Sequence, residues 1–224
     1  MQVYIAGAGK LATELLERLE PQDGLSIERW SGASESVVKS IVVHAGSGRE
    51  IDAISDFCSR TESVLVELST GSSVEGTLPK FPVVLCPNTN ILMLKFMSML
   101  ERSGEMFKSC DRQIIESHQA TKTSVPGTAV QMARSLGISE HEIVSVRDAA
   151  QQAGELHIPS DHLARHAFHR ITIQDGPCFI SMETRVYGDA PYASGVQQII
   201  GAVSRQPLEN RIYAITEFIE NGWV

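Results

Sequence analysis

Two side chains four positions apart, His118 and Lys122, are the residues of this chain best suited to acid–base work on an anion. Histidine exchanges a proton near neutral pH, and lysine offers a fixed positive charge to a carboxylate. The stretch Val125-Pro126-Gly127-Thr128-Ala129 follows them and opens a helix. Backbone N–H groups at Gly127 and Thr128 would form a further anion site there. Gln119, beside His118, adds an uncharged hydrogen-bonding group. Read alone, the His118 to Lys122 stretch fits a solvated polar loop equally well.

A second constellation lies at the start. Tyr4-Ile5-Ala6-Gly7-Ala8-Gly9-Lys10-Leu11-Ala12 is a GxGxxA run placed directly after a strand and opening a helix. Glycines let the backbone turn tightly and approach a pyrophosphate, and the helix start supplies free N–H groups and a positive dipole end. Glu28 ends the next strand, at the spacing where an acidic residue meets a ribose diol. Arg29 follows it and suits a 2′-phosphate instead, so NADH and NADPH both remain open. Glu67-Leu68-Ser69-Thr70-Gly71 follows a later strand, and its small residues would admit a nicotinamide ring.

Four histidines, His157, His162, His166 and His169, fall close together near the middle of the second half. His162 and His166 have the i,i+4 spacing of metal ligands on a helix. No carboxylate or cysteine stands ready to complete a site, so a polar surface segment is expected there, with no metal.

The elements that must position these groups alternate in the first half. Residues 3–6, 25–30, 41–43, 64–68 and 82–86 are short β-branched runs, and 10–19 and 50–60 carry apolar residues at helical spacing. That alternation predicts βαβ units and a Rossmann-type parallel sheet. Residues 90–102 predict a long helix. Beyond it strands dominate, at 113–116, 143–146, 169–173 and 178–186, with a helix at 128–136 and a hairpin turn at Asp175-Gly176. The expected architecture is α/β: a dinucleotide-binding domain over 1–89, completed by 191–224, and an α+β domain with a mixed sheet over 90–190. In the tail, Ile212, Ile215 and Ile219 share one helical stripe.

Composition narrows the function classes. Hydrophobic residues are 42% of the chain, enough to offset the ordering entropy that keeps poorer chains disordered. No apolar run approaches the length of a membrane span. A net charge of -8 repels phosphate backbones and argues against a nucleic-acid partner. The first residues read as a strand of the fold and lack the basic and apolar parts of a signal peptide. Cys58, Cys86, Cys110 and Cys178 are widely spaced, which predicts reduced thiols in a cytoplasmic protein.

With these residues in place, the sequence resembles the dihydrodipicolinate reductase family, now called 4-hydroxy-tetrahydrodipicolinate reductase, over most of its length. The stretch Glu116-Ser117-His118-Gln119-Ala120-Thr121-Lys122 with Pro126-Gly127-Thr128-Ala129 echoes the family pattern E-x-H-H-x-x-K-x-D-x-P-S-G-T-A. Ser69-Thr70-Gly71 stands for its G-T-T-G, and Cys86-Pro87-Asn88 for its A-P-N. Ser145-Val146-Arg147 and Ile212-Tyr213 are also similar, the latter on the last helix. The resemblance implies NADH or NADPH as cofactor, held by Gly7 to Ala12, Glu28, Arg29, Ser69, Thr70, Pro87 and Asn88. It implies His118 and Lys122 as the acid/base histidine and catalytic lysine, and Gln119, Gly127 and Thr128 on a cyclic imine dicarboxylate. A homotetramer assembled through the second domain's sheets, in lysine biosynthesis, is also implied. Gln119 replaces the family's second histidine, Ser124 its aspartate, and the serine of P-S-G-T is missing. These departures leave open a same-fold reductase of another imine or oxo acid, and a nicotinamide-binding protein without catalysis.

Overall fold

The computed structural model describes residues 1–21, 24–32, 37–187 and 192–224. Strand β1 (Gln2–Ala6) enters the glycine loop, and α1 (Lys10–Arg18) leaves it with Ala12 and Leu15 buried. Strands β2 (Ser26–Arg29) and β3 (Ser40–His44) flank β1 on its two sides. Helix α2 (Ile51–Thr61) buries Ile51, Ile54, Phe57 and Cys58 on one stripe. Strands β4 (Val64–Glu67) and β5 (Val83–Leu85) follow, and α3 (Ile91–Ser103) carries the chain onward. Every residue of β3 and β4 is buried, the signature of strands covered on both faces. Their last residues, His44 and Glu67, are ionisable types at fully buried strand ends.

The next strand, β6 (Asp111–His118), is longer than the sequence pattern suggests. Then come α4 (Gly127–Ser135), β7 (Val144–Val146) and α5 (Ala149–Gly154), the last started by Asp148 accepting a hydrogen bond from Gln151 N–H. Strands β8 (His166–Asp175) and β9 (Cys178–Tyr187) form the expected hairpin, with Asp175 opposite Cys178 across the turn. The sheet order is β7-β6-β8-β9. Strand β7 runs parallel to β6, while β8 pairs antiparallel with both β6 and β9, so the sheet is mixed.

The chain closes with α6 (Tyr192–Arg205), β10 (Ile212–Ala214) and α7 (Ile215–Glu220). The helical stripe expected through Ile212 is corrected here. Ile212 and Tyr213 pair with Val83 and Val84 as a sixth parallel strand, and the helix begins only at Ile215. The open edge of β5 offers backbone partners that an isolated periodicity does not register. Ile215 and Phe218 then bury against the same core.

The parallel sheet has the order β10-β5-β4-β3-β1-β2. One face carries Val3, Ile5, Leu15, Ile41, Val43, Val84, Ile199 and Phe218, and the other Val42, Ile54, Phe57 and Leu65. The chain direction along the sheet reverses beside β1, so the crevice outside the carboxyl ends of β1 and β3 is where such sheets bind ligands. Contacts divide the chain into two units, Met1–Leu94 with Pro191–Val224, and Lys95–Ala190.

Candidate active site

In the first unit, Gly7 has φ +124°, and a Cβ there would stand 2.6 Å from the carbonyl oxygen of Ala45. The conformation and the close approach both demand glycine. Helix α1 starts at Lys10 with Gly9 as its cap, no side-chain cap and no acidic residue in the first turn. A lysine at that position is unfavourable for the helix dipole, yet it adds positive charge to free N–H groups and suits an anion. Arg29 donates to Gly7 O at 3.1 Å, so its guanidinium lies on the glycine loop. Ala8, Gly9, Glu28 and Arg29 are exposed. Leu11 packs partly, and Ala12 fully, into the core, so both hold α1 against the sheet. The glycine cradle and uncapped helix end fit a pyrophosphate.

A cleft of about 540 Å³ opens at the ends of β3 and β4, lined among others by His44, Gly46, Arg49, Ser69, Thr70 and Ser72. From the wall, His44 Nδ1 donates to both carboxylate oxygens of Glu67, which lies behind it, at 2.8 Å. Glu67 also accepts from the Ser69 N–H at 2.8 Å and from Ser72 Oγ at 2.9 Å. Burial alone raises this carboxyl's pKa, but the donors, His44 foremost, outweigh it and hold the group below the ordinary range. Ser69 Oγ in turn donates to Gly46 O at 2.8 Å. Pro87 is exposed, and Asn88 Oδ1 accepts from the Asn90 N–H at 3.0 Å, shaping the turn into α3.

In the second unit, β6 alternates faces, so Glu116 and His118 point the same way. His118 Nδ1 donates to Glu116 Oε2 at 2.9 Å, which leaves Nε2 as the nitrogen free to exchange a proton. Glu116 is fully buried and also accepts from Ser145 Oγ and, at 2.5 Å, from Arg147 Nη2. Burial raises its pKa, but hydrogen bonds from His118, Arg147 and Ser145 overcome that and lower it to about 2. Arg147 Nε donates to Lys122 O at 2.8 Å, and the Lys122 N–H donates to Gln119 O at 2.9 Å. One guanidinium therefore ties the Glu116 carboxylate, the partner of His118, to the turn that carries Lys122. Gln152 Nε2 from α5 donates to His118 O at 2.8 Å and fixes the strand end. Helix α4 begins at Gly127 behind Pro126, without a side-chain cap or an acid in its first turn, so the N–H groups near Gly127 and Thr128 remain available to an anion.

The register extends this centre across the whole sheet. Ser145, Glu116, His169 and Thr184 are successive partners on one rung of β7, β6, β8 and β9. The His169 ring meets His118 edge-on at 5.8 Å, and its Nδ1 hydrogen-bonds Thr184 Oγ1 at 2.9 Å. His169 is 2% exposed, and burial, aided by the His118 charge, lowers its pKa to about 4. His166 is 5% exposed and bonds Ser117 Oγ at 3.0 Å, with its pKa lowered chiefly by burial.

The surface reading of the histidine segment is therefore corrected for two of its four members: cross-strand pairing, invisible in sequence spacing, takes His166 and His169 inside. His162 lies in a short 3-10 turn and His166 at the start of β8, so they do not share a helix. Among the described residues no cluster of potential ligands could hold a metal ion. Sequence reasoning gave no role to Glu116, Ser145, Arg147, His169, His44 or Glu67. Glu116 was legible, since two residues before His118 in a strand means the same face. Arg147 and Ser145 carry no sequence signal beyond the family resemblance.

No protein-family model matches the chain. It is 25% identical to 4-hydroxy-tetrahydrodipicolinate reductase 2, chloroplastic, of Arabidopsis thaliana, over 88% of this chain and 68% of that protein. It is 31% identical to the probable 4-hydroxy-tetrahydrodipicolinate reductase 1, chloroplastic, of Oryza sativa subsp. japonica, over 50% of this chain and 36% of that one. A dipicolinate-bound dihydrodipicolinate reductase from Paenisporosarcina sp. TG-14 shares the fold, with a TM-score of 0.67 and 17% identity over 96% of this chain and 97% of that one. Sequence relatives and fold agree with the resemblance read from the His118 stretch: the chain is similar to dihydrodipicolinate reductases.

Proposed function

We propose that this chain is an NAD(P)H-dependent oxidoreductase that reduces a cyclic imine dicarboxylate, dihydrodipicolinate or its 4-hydroxy precursor, in lysine and diaminopimelate biosynthesis. The single observation that carries the reading is the Glu116–His118 pair, tied through Arg147 to the Lys122 turn, in a chain similar to reductases of that name. A nicotinamide cofactor, when bound, supplies the hydride. The glycine loop from Gly7 to Lys10 and the α1 start hold its pyrophosphate, Glu28 or Arg29 meets the ribose, and Ser69, Thr70, Pro87 and Asn88 line the path toward the ring. Glu28 and Arg29 leave NADH and NADPH as alternatives.

His118 supplies the proton from Nε2. Glu116 holds the ring in the tautomer with Nδ1–H and stabilises its charged form. Lys122, Gln119, Gly127 and Thr128 receive the substrate carboxylates. The domain roles follow: residues 1–89 and 191–224 take the cofactor, and 90–190 take the substrate and assemble the oligomer, a homotetramer in this reading. The four free thiols suit a reducing compartment, and we place the protein in the cytoplasm. Among the described residues no helix is long and apolar enough to cross a membrane.

A second reading keeps the reductase chemistry and changes the acid. Gln119 favours it, because an amide cannot carry the charge of a second histidine. The test is oxidation of NADH or NADPH with substrate generated in place from pyruvate and aspartate semialdehyde by the preceding synthase. Rapid loss of reduced-nicotinamide absorbance with the native chain, and not with Lys122→Ala, is expected. No loss despite cofactor binding would overturn the lysine-pathway substrate and leave the second reading.

A further inference from the structure

The carboxyl edge of the parallel sheet is electrically polar. At the glycine loop stand the uncapped start of α1, Lys10, and Arg29 bonded to Gly7 O. At the 69–72 loop stand two carboxylates that take up its backbone donors. Glu67 accepts the Ser69 N–H, and Glu75 Oε1 accepts the Gly71 and Ser72 N–H groups at 2.8 and 3.1 Å. A loop whose N–H groups are already bonded to carboxylates offers no cradle to a phosphate. It presents hydroxyls, with negative charge behind them.

The charges around this cleft are Glu50, Glu67 and Glu75 against Arg49, with His44 bonded to Glu67. His44 lines the cleft, is fully buried, and its Nε2 has no hydrogen-bond partner. Glu50 Oε2 lies 3.7 Å from that nitrogen, also unbonded. Even with His44 charged, the carboxylates leave the cleft wall negative. A buried ionised carboxylate is costly to keep. A glutamine could accept the Ser69 N–H on its single carbonyl oxygen and turn its amide as a donor to the Ser72 hydroxyl, without that cost.

We infer that Glu67, behind the Ser69–Ser72 wall, is a specificity-determining residue that makes this cleft select a cationic ring, the oxidised nicotinamide, over its neutral reduced form. This rests on the cofactor assignment above and deepens it. The ring gains a positive charge when it gives up hydride, so a negative wall favours the charge as it develops. The polarity of the sheet edge matches the ligand: positive groups for the pyrophosphate, carboxylates for the ring.

The test is direct titration of NADH and NAD+, or NADPH and NADP+, against the native chain and Glu67→Gln, with melting curves alongside. One unit charge acting across about 10 Å at an effective dielectric of about 20 corresponds to a change on the order of tenfold. In Glu67→Gln the Kd of the oxidised form is expected to rise by that factor, with the reduced form nearly unchanged. An unchanged ratio, or equal weakening of both forms, would overturn the inference and leave Glu67 a shaper of the loop. If Glu67→Gln does not fold, Glu75→Gln keeps an acceptor oxygen for Gly71 and Ser72. It should shift the ratio the same way by roughly two- to threefold, since Glu75 is exposed and screened. A flat ratio there overturns the inference as well. A native chain that binds neither form would instead refute the cofactor assignment itself, before any variant is compared.

Discussion

His118 Nδ1 and Glu116 Oε2 stand 2.9 Å apart on one face of the same strand, and the carboxylate is wholly buried. The pair settles which imidazole nitrogen is committed to the protein. It also makes Glu116 answer to two donors, because Arg147 grips its other oxygen. Glu116→Gln keeps the size and an acceptor oxygen but removes the charge. Turnover is expected to fall roughly tenfold to a hundredfold, with cofactor affinity unchanged. A fall in cofactor affinity of the same size would show that the pair is only structural.

Among the described residues Lys122 is held through its backbone, not its side chain. Lys122→Ala is therefore expected to melt like the native protein while losing turnover. His118→Gln should lower kcat far more than it changes cofactor binding, because the imidazole acts in the transition state. Steady-state kinetics with a cofactor titration separates the two effects.

Acid stability follows from the buried groups with lowered titrations, His169 and Glu116 foremost, with His166 and Glu67 displaced the same way. His169 titrates at about 4 in the fold against 6.5 when free, so the unfolded chain takes its proton first. Stability is then full above pH 6.5 and declines as the pH falls toward 4. Glu116, lowered to about 2 from 4.5, adds a second decline below pH 4.5. Urea melts across this range should show both, and His169→Phe should make the upper one shallower, the remainder belonging to His166. A native slope that is flat between pH 6.5 and 4 would contradict the burial of His169.

Gly7 and Gly9 separate cradle from contact. Gly7→Ala sets a Cβ 2.6 Å from Ala45 O at φ +124°, and is expected to cost about 2 kcal/mol or more. A Cβ at Gly9 meets nothing within 4 Å, so Gly9→Ala should fold normally and weaken only cofactor binding. Thermal melts and NADH titration of the two variants give the comparison.

The thiols should react in order of exposure. Cys178 is exposed and Cys110 half-buried, whereas burial pushes the thiols of Cys58 and Cys86 up to about 12. A colorimetric thiol reagent is expected to label Cys178 first, then Cys110, and the other two only after denaturation. Rapid labelling of all four in the native protein would contradict that core.

The amino-acid sequence by itself determined the local elements and the chemistry they carry. The β-branched runs specified the inner strands such as β3 and β4, because strands covered on both faces must be largely apolar, whereas the edge strand β2 is mostly exposed. The GxGxxA run specified the loop, because only glycine tolerates the backbone at residue 7. His118 and Lys122 were legible from residue type and spacing, and Glu116 from the two-residue period of a strand. The tertiary structure alone decided what neighbours do. Whether Ile212 continues a helix or joins a sheet depends on the free edge of β5, which lies more than a hundred residues earlier. Glu116 meets Arg147 and His169, and His44 meets Glu67, only through strand register. Spacing along one chain fixes which side chains share a face, while pairing between strands fixes whose charge lies beside whose. Burial of His166 and His169, and the charge states of this site, belong to that second kind of information.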